Sequence, residues 1–250
     1  MPTATNSAFS SPVDWAHRLS AVHERIAAAC QQARRPATQV QLLAVSKTFP
    51  LSAVDAVAAA GQRAFGENYA QEGVDKAMAR SDLEWHFIGP VQSNKTRGIA
   101  EYFAWVHSID RLKIAERLST QRPASLPPLQ VCVQVNISSE TSKSGCSPAE
   151  ALTLCIAVAA LPRIHLRGLM AIPEATDDQA TQRRHFAALR LLMADINDAD
   201  ASLKLDTLSM GMSDDLEAAI AEGATMVRVG SAIFGQRSYP TTSASETSES

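Results

Sequence analysis

Between Gln41 and Gly235, short apolar runs alternate eight times with longer stretches of helical period. The runs are QLLAVSK, RAFGEN, EWHFIGP, FAWVHSID, LQVCVQVNIS, HLRGLMAIP, LKLDTLSMGMS and MVRVGSAIFG. Between them lie helix candidates such as LSAVDAVAAAG, which ends on Gly61, RLKIAERLSTQ and SDDLEAAIAEG. A first helix precedes the series, from about Pro12 to Ala33. Near-continuous apolar strands need cover on both faces, and helical crossovers between parallel strands supply it. Eight such units in roughly 200 residues predict an α/β fold, a (β/α)8 TIM-type barrel near the lower size limit of that architecture. The alternative is an open doubly wound sheet, but no GxGxxG follows the first strand.

Composition narrows the class of protein. A hydrophobic content of 46% and a charged content of 20% are ordinary for a globular chain. The formal net charge of -3 gives no electrostatic case for nucleic acid or an acidic membrane. Basic pairs such as Arg34-Arg35 and Arg183-Arg184 read as solvated helix faces. Cys30, Cys132, Cys146 and Cys155 show no CxxC spacing, so neither a disulfide framework nor a zinc site is expected, and reduced thiols fit a cytoplasmic protein. Residues 1–11 carry no apolar core of a signal peptide and read as a disordered lead, and the Ser/Thr-rich residues 238–250 as a disordered tail. One barrel domain is expected over residues 12–237, with no second domain after it. The longest apolar stretch, Ala151 to Leu161, is well short of the ~20 residues that span a bilayer.

In such barrels the active site gathers at the carboxyl ends of the strands, with phosphate held after strands seven and eight. The polar residues collect there: Lys47 after strand one, Glu67-Asn68 after strand two, His86 within strand three and Asn136 after strand five. Ser209-Met210-Gly211-Met212-Ser213 and Gly230-Ser231 have the chemistry of a phosphate cradle, since glycine admits close backbone approach and serine donates a hydroxyl. Ser213, followed by Asp214 and Asp215, reads as the start of a capped helix. Lys47 alternates with Val45 and Leu43 on one inward row, and Arg228 shares the face of Gly230. An arginine inside a barrel needs an acidic partner or an acceptor on a ligand. A strand-end lysine facing a phosphate site fits pyridoxal phosphate (PLP) held as a Schiff base. A cofactor-free aldolase, its lysine attacking a phosphorylated sugar directly, uses the same residue types.

The stretches LLAVSK, FGENYAQE, WHFIGPVQSNK, VHSID, VNISSETSKSG, LRGLMAIP, LSMGMSDDLEAAIAEGATMVRVGSAIFG and the closing Arg237 resemble the pyridoxal-phosphate homeostasis proteins, single barrels similar to the N-terminal domain of alanine racemase. The resemblance runs in order from about Val40 to Arg237. It implies the fold-type III barrel and makes Lys47 the Schiff-base lysine. It places Arg228 at the pyridine nitrogen, Ser209, Gly211, Gly230 and Ser231 at the phosphate, and Asn68 and His86 close to the cofactor. Lys143 falls in a loop motif of the family, and its place in a Gly- and Ser-rich loop after strand five makes it a candidate for a role in transfer. The implied function is a non-catalytic protein that buffers PLP and hands it to PLP-dependent apo-enzymes. The competing reading is a fold-type III enzyme such as an amino-acid racemase, which needs a second acid/base opposite the lysine. Neither Tyr69 nor Tyr102 is obviously placed for that role.

Overall fold

A computed structural model describes residues 12–138 and 144–235. The expected disordered lead and tail lie outside the described residues, as do Lys143 and Arg237. Eight parallel strands close into a barrel in sequence order: β1 (Gln41–Val45), β2 (Ala64–Glu67), β3 (Glu84–Phe87), β4 (Trp105–Ile109), β5 (Leu129–Gln134), β6 (Ile164–Met170), β7 (Thr207–Ser209) and β8 (Met226–Val229). Seven fall within their expected runs, and β6 begins one residue ahead of its run, at Ile164. The helices are α1 (Pro12–Gln32), α2 (Leu51–Ala59), α3 (Ala70–Ala79), α4 (Thr96–Tyr102), α5 (Leu112–Gln121), α6 (Pro148–Ala159), α7 (Gln179–Ala199), α8 (Leu216–Ala221) and α9 (Ser231–Phe234). Pairing of β1 with β8 sets Leu43 opposite Arg228 and so closes the ring.

Strand parity divides the apolar residues into two layers. Leu43, Val45, Ala64, Ile88, Trp105, Cys132, Met170 and Met226 form one buried cluster. The larger cluster lies between strands and helices and takes Leu42 and Ala44 from β1, with Phe65, Val106, Val131 and Val227 from its neighbours. One residue of alternation thus sends Leu42 out to the helices and Leu43 in to the axis. Gly168 lets β6 lie against β7, because a Cβ there would stand 1.9 Å from the Thr207 carbonyl oxygen. All four cysteines are buried as free thiols. Burial pushes the thiols of Cys132 and Cys155 up to about 12 and that of Cys146 to about 11. Among the described residues no helix is long and apolar enough to cross a membrane, and no group of acidic, His and Cys side chains could hold a metal.

The start of α8 departs from expectation. The helix begins at Leu216 with Asp215 at its N-cap position, and residues 213–215 form a turn ahead of it. The Asp215 carboxylate accepts from the Met212 N–H at 2.5 Å, so it closes the turn behind it instead of capping the helix ahead. That releases Ser213 from a capping role.

Candidate functional site

A cavity of about 530 Å³ opens beyond the carboxyl ends of β1, β2, β3 and β8, within the usual size range of small-ligand sites. Lys47, Asn68, Arg228, Gly230 and Ser231 all line it, as their positions at the carboxyl ends of the strands predict. Ser213 and Asp214 join them at the polar rim. Val45, Ile88, Ile172, Met212 and Phe49 add apolar wall, with Phe49 stacked on Phe234 at 5.1 Å between ring centroids. The Ser231 hydroxyl lies 3.2 Å from the Ser213 hydroxyl, so two donors from different loops converge on one point.

The backbone around Lys47 is pinned on both sides. The carbonyl of Ser46 accepts from Lys76 Nζ at 2.9 Å, and the Thr48 N–H donates to Glu72 Oε1 at 2.7 Å. The same ammonium bonds Glu67 Oε1 and Glu72 Oε1 at 2.7 Å each, and the Ser46 hydroxyl donates to Glu67 Oε1 at 2.6 Å. Thr48 adopts φ 68, a left-handed conformation that a β-branched residue rarely takes. The turn after β1 is therefore held by α3 in a conformation the chain would not choose alone. Burial raises the Glu67 carboxyl above its ordinary value, with Lys76 and the two hydrogen bonds acting against it.

Arg228 is 3% exposed and donates from Nη1 to Ser209 Oγ at 2.7 Å and from Nη2 to the Ala171 carbonyl at 2.9 Å. Desolvation pulls its guanidinium down to about 10, partly offset by Asp215, and it remains a cation at neutral pH. Asn68 offers a second open valence, since its Oδ1 is buried with no hydrogen-bond partner. Such an orphan in a cavity wall suits a ligand donor. Gly89 makes that placement of Asn68 feasible, because a Cβ at residue 89 would come within 2.1 Å of the Asn68 carbonyl oxygen.

Three expected residues stand behind the cavity instead of lining it. His86 and Ser209 are fully buried, both bonded to His107, and Gly211 turns the chain at φ 91 with Ala219 close behind it. Lys143 lies outside the described residues. Reasoning from sequence gave no role to His107, and it placed Ser213, which lines the cavity, in the cradle stretch without naming it among the residues at the phosphate. Parity would have found His107, which sits two residues after the inward Trp105.

A closed parallel barrel with a strand-end lysine, a buried arginine and a small-residue cradle defines a class, the fold-type III barrels of the alanine racemase kind. The comparisons agree: residues 18–238 match the family described as alanine racemase, N-terminal domain. The chain is 60% identical over 226 residues to the pyridoxal phosphate homeostasis protein of Pseudomonas aeruginosa, covering 90% of this chain and 96% of that one. It is 54% identical over 236 residues to the protein of the same name from Escherichia coli K12, covering 90% and 98%. The chain belongs to the pyridoxal phosphate homeostasis protein family. Among solved structures, PipY of Synechococcus elongatus with PLP bound superposes with a TM-score of 0.76 at 36% identity, covering 88% of this chain and all of that one. Alanine racemase from Corynebacterium glutamicum shares the fold at a TM-score of 0.63 and 20% identity, with 88% of this chain matched to 62% of that one.

Proposed function

We propose that this protein binds pyridoxal 5'-phosphate, holds it as a Schiff base on Lys47, and passes it to PLP-dependent apo-enzymes in the cytoplasm without turning over amino acids itself. The observation that carries the reading is the convergence of Lys47, Arg228 and the Ser213–Ser231 pair on one cavity. The residues present fit the cofactor: a cation for the ring nitrogen, hydroxyls for the phosphate, apolar walls for the ring and the open Asn68 oxygen for a ring substituent. PLP supplies an aldehyde that condenses reversibly with amines. Lys47 is the amine, oriented by the bonds to Ser46 and Thr48 on either side of it. Arg228 donates and cannot accept, so it orients the ring nitrogen and disfavours its protonation.

Two further observations support a carrier over a racemase. Tyr69 and Tyr102, the tyrosines among the described residues, are 54% and 40% exposed and neither lines the cavity. The chain also matches nearly the whole length of two relatives named pyridoxal phosphate homeostasis protein, at 60% and 54% identity. Borohydride reduction followed by peptide mass spectrometry tests the assignment. A pyridoxyl group on Lys47, and loss of the visible band in Lys47→Ala, are expected. A label found mainly on another lysine, with the band intact in Lys47→Ala, would overturn it. Chiral chromatography of amino acids incubated with the loaded protein tests the second half. Lys47-dependent racemisation in the ordinary enzyme range of ~1–10³ s⁻¹ would restore the enzyme reading.

A further inference from the structure

A line of polar side chains crosses the barrel interior beneath the cavity. Glu84 opens β3 with its side chain 43% exposed, and its Oε1 lies 2.8 Å from His86 Nε2. His86 Nδ1 is 3.0 Å from His107 Nε2, and His107 Nδ1 is 2.7 Å from Ser209 Oγ. Arg228 Nη1 reaches that same oxygen at 2.7 Å. Four strands, β3, β4, β7 and β8, thus contribute to one continuous chain from solvent at one end to the cavity wall at the other. His86 also lies flat against Trp105, with ring centroids 5.4 Å apart and planes 7° from parallel.

The two ends force every proton in between. An ionised carboxylate only accepts, so His86 carries its hydrogen on Nε2. A neutral His86 then accepts at Nδ1, which requires His107 to donate from Nε2 and to accept at Nδ1. Ser209 fills that role by donating its one hydroxyl proton, which turns its lone pairs toward Arg228, a group that only donates. Every atom in the line is satisfied by this one arrangement. Burial supports it, since desolvation lowers both imidazoles below their ordinary value, with Glu84 acting against this at His86, and His86 and Arg228 adding to it at His107.

We infer that His86 and His107 are positioning residues for Arg228: they lock Ser209 as an acceptor, and Ser209 with the Ala171 carbonyl fixes how the guanidinium faces a bound cofactor ring. The inference rests on the reading of Arg228 as the partner of the pyridine nitrogen. Two packed core histidines with no such role would tolerate apolar replacement without consequence for the ligand.

The test has two independent arms. Long-range ¹⁵N NMR of the ligand-free protein should find both imidazoles neutral with the proton on Nε2, and Arg228→Leu should move the His107 Nδ1 resonance. Titration with PLP should then show His107→Phe binding roughly tenfold or more weakly, the worth of one charge-assisted hydrogen bond. The position of its visible band should shift, while circular dichroism stays that of the wild type. Ser209→Ala, which removes the acceptor, should weaken binding and shift the band in the same direction as His107→Phe. A proton on Nδ1 of either imidazole, or a folded His107→Phe with unchanged affinity and spectrum, overturns the wiring. Wild-type protein that takes up no PLP would instead sink the proposed function, and the imidazole resonances would still judge the wiring.

Discussion

Two buried cations, Lys76 and Arg228, sit in the same barrel and are treated in opposite ways. Lys76 is 6% exposed, and its three N–H donors go to two carboxylates and a carbonyl. Arg228 is as deeply buried, yet its two hydrogen bonds go to a hydroxyl and a carbonyl, and among the described residues no carboxylate lies within ion-pair distance. Lys76 lies beneath the strand ends with its donors spent on protein, so it can only hold shape. Arg228 lines the cavity with donors in hand. A buried charge that is fully paired belongs to the scaffold, and one left short of acceptors beside open space is prepared for a ligand.

Removing Lys76 should give the largest effect. Lys76→Ala leaves Glu67, which is 0% exposed, without its cation, at a cost of about 3–5 kcal/mol in denaturant unfolding. PLP binding should weaken as the turn carrying Lys47 loosens. A loss below about 1 kcal/mol would place Lys76 with ordinary surface pairs and erase the contrast.

The pH dependence of stability sharpens it next, because the two clusters act with opposite sign. His86 and His107 are held below their ordinary value of 6.5, so the unfolded chain binds more protons, and stability falls as pH drops beneath that value. Each imidazole contributes up to about 1.4 kcal/mol per pH unit. Glu67 is raised above 4.5, so the folded chain binds the extra proton, and its contribution is lost as pH rises through the folded value. In Glu67→Gln the opposing contribution is gone, and urea unfolding should show a steeper loss between about pH 6.5 and 5 than in wild type. Stability that holds or rises over that interval in the variant would contradict two neutral buried imidazoles.

Arg228→Leu should change stability least. An apolar side chain replaces a desolvated cation that has neutral partners, so unfolding should shift by no more than about 1 kcal/mol. Retention of PLP should nevertheless fall by about tenfold or more. Destabilisation as large as that of Lys76→Ala would show that both cations are structural.

The strands were legible because burial on both faces leaves continuous apolar runs, and Lys47, Asn68, Arg228, Gly230 and Ser231 followed from their places just after or within those runs. The roles behind the cavity were harder to read. Lys76 looks like any lysine four residues after a glutamate on a helix, and only the docking of α3 under β1 and β2 buries it. Ser209 and Ser213 lie four residues apart in one glycine-containing run, and only the tertiary structure shows that the first serves Arg228 and the second the cavity. Asp215 closes a turn that capping preferences alone read as a helix start.

The buried cysteines bear on how safely an aldehyde can be kept. Thiolates add readily to aldehydes, so an exposed, easily ionised sulfur near the mouth would divert the cargo into side products. Here Cys30, Cys132, Cys146 and Cys155 are all enclosed, none lines the cavity, and burial keeps them protonated far above neutral pH. Sulfur chemistry is walled off in the interior, and among the described residues that line the cavity the amine that the proposed cofactor's aldehyde would meet is that of Lys47.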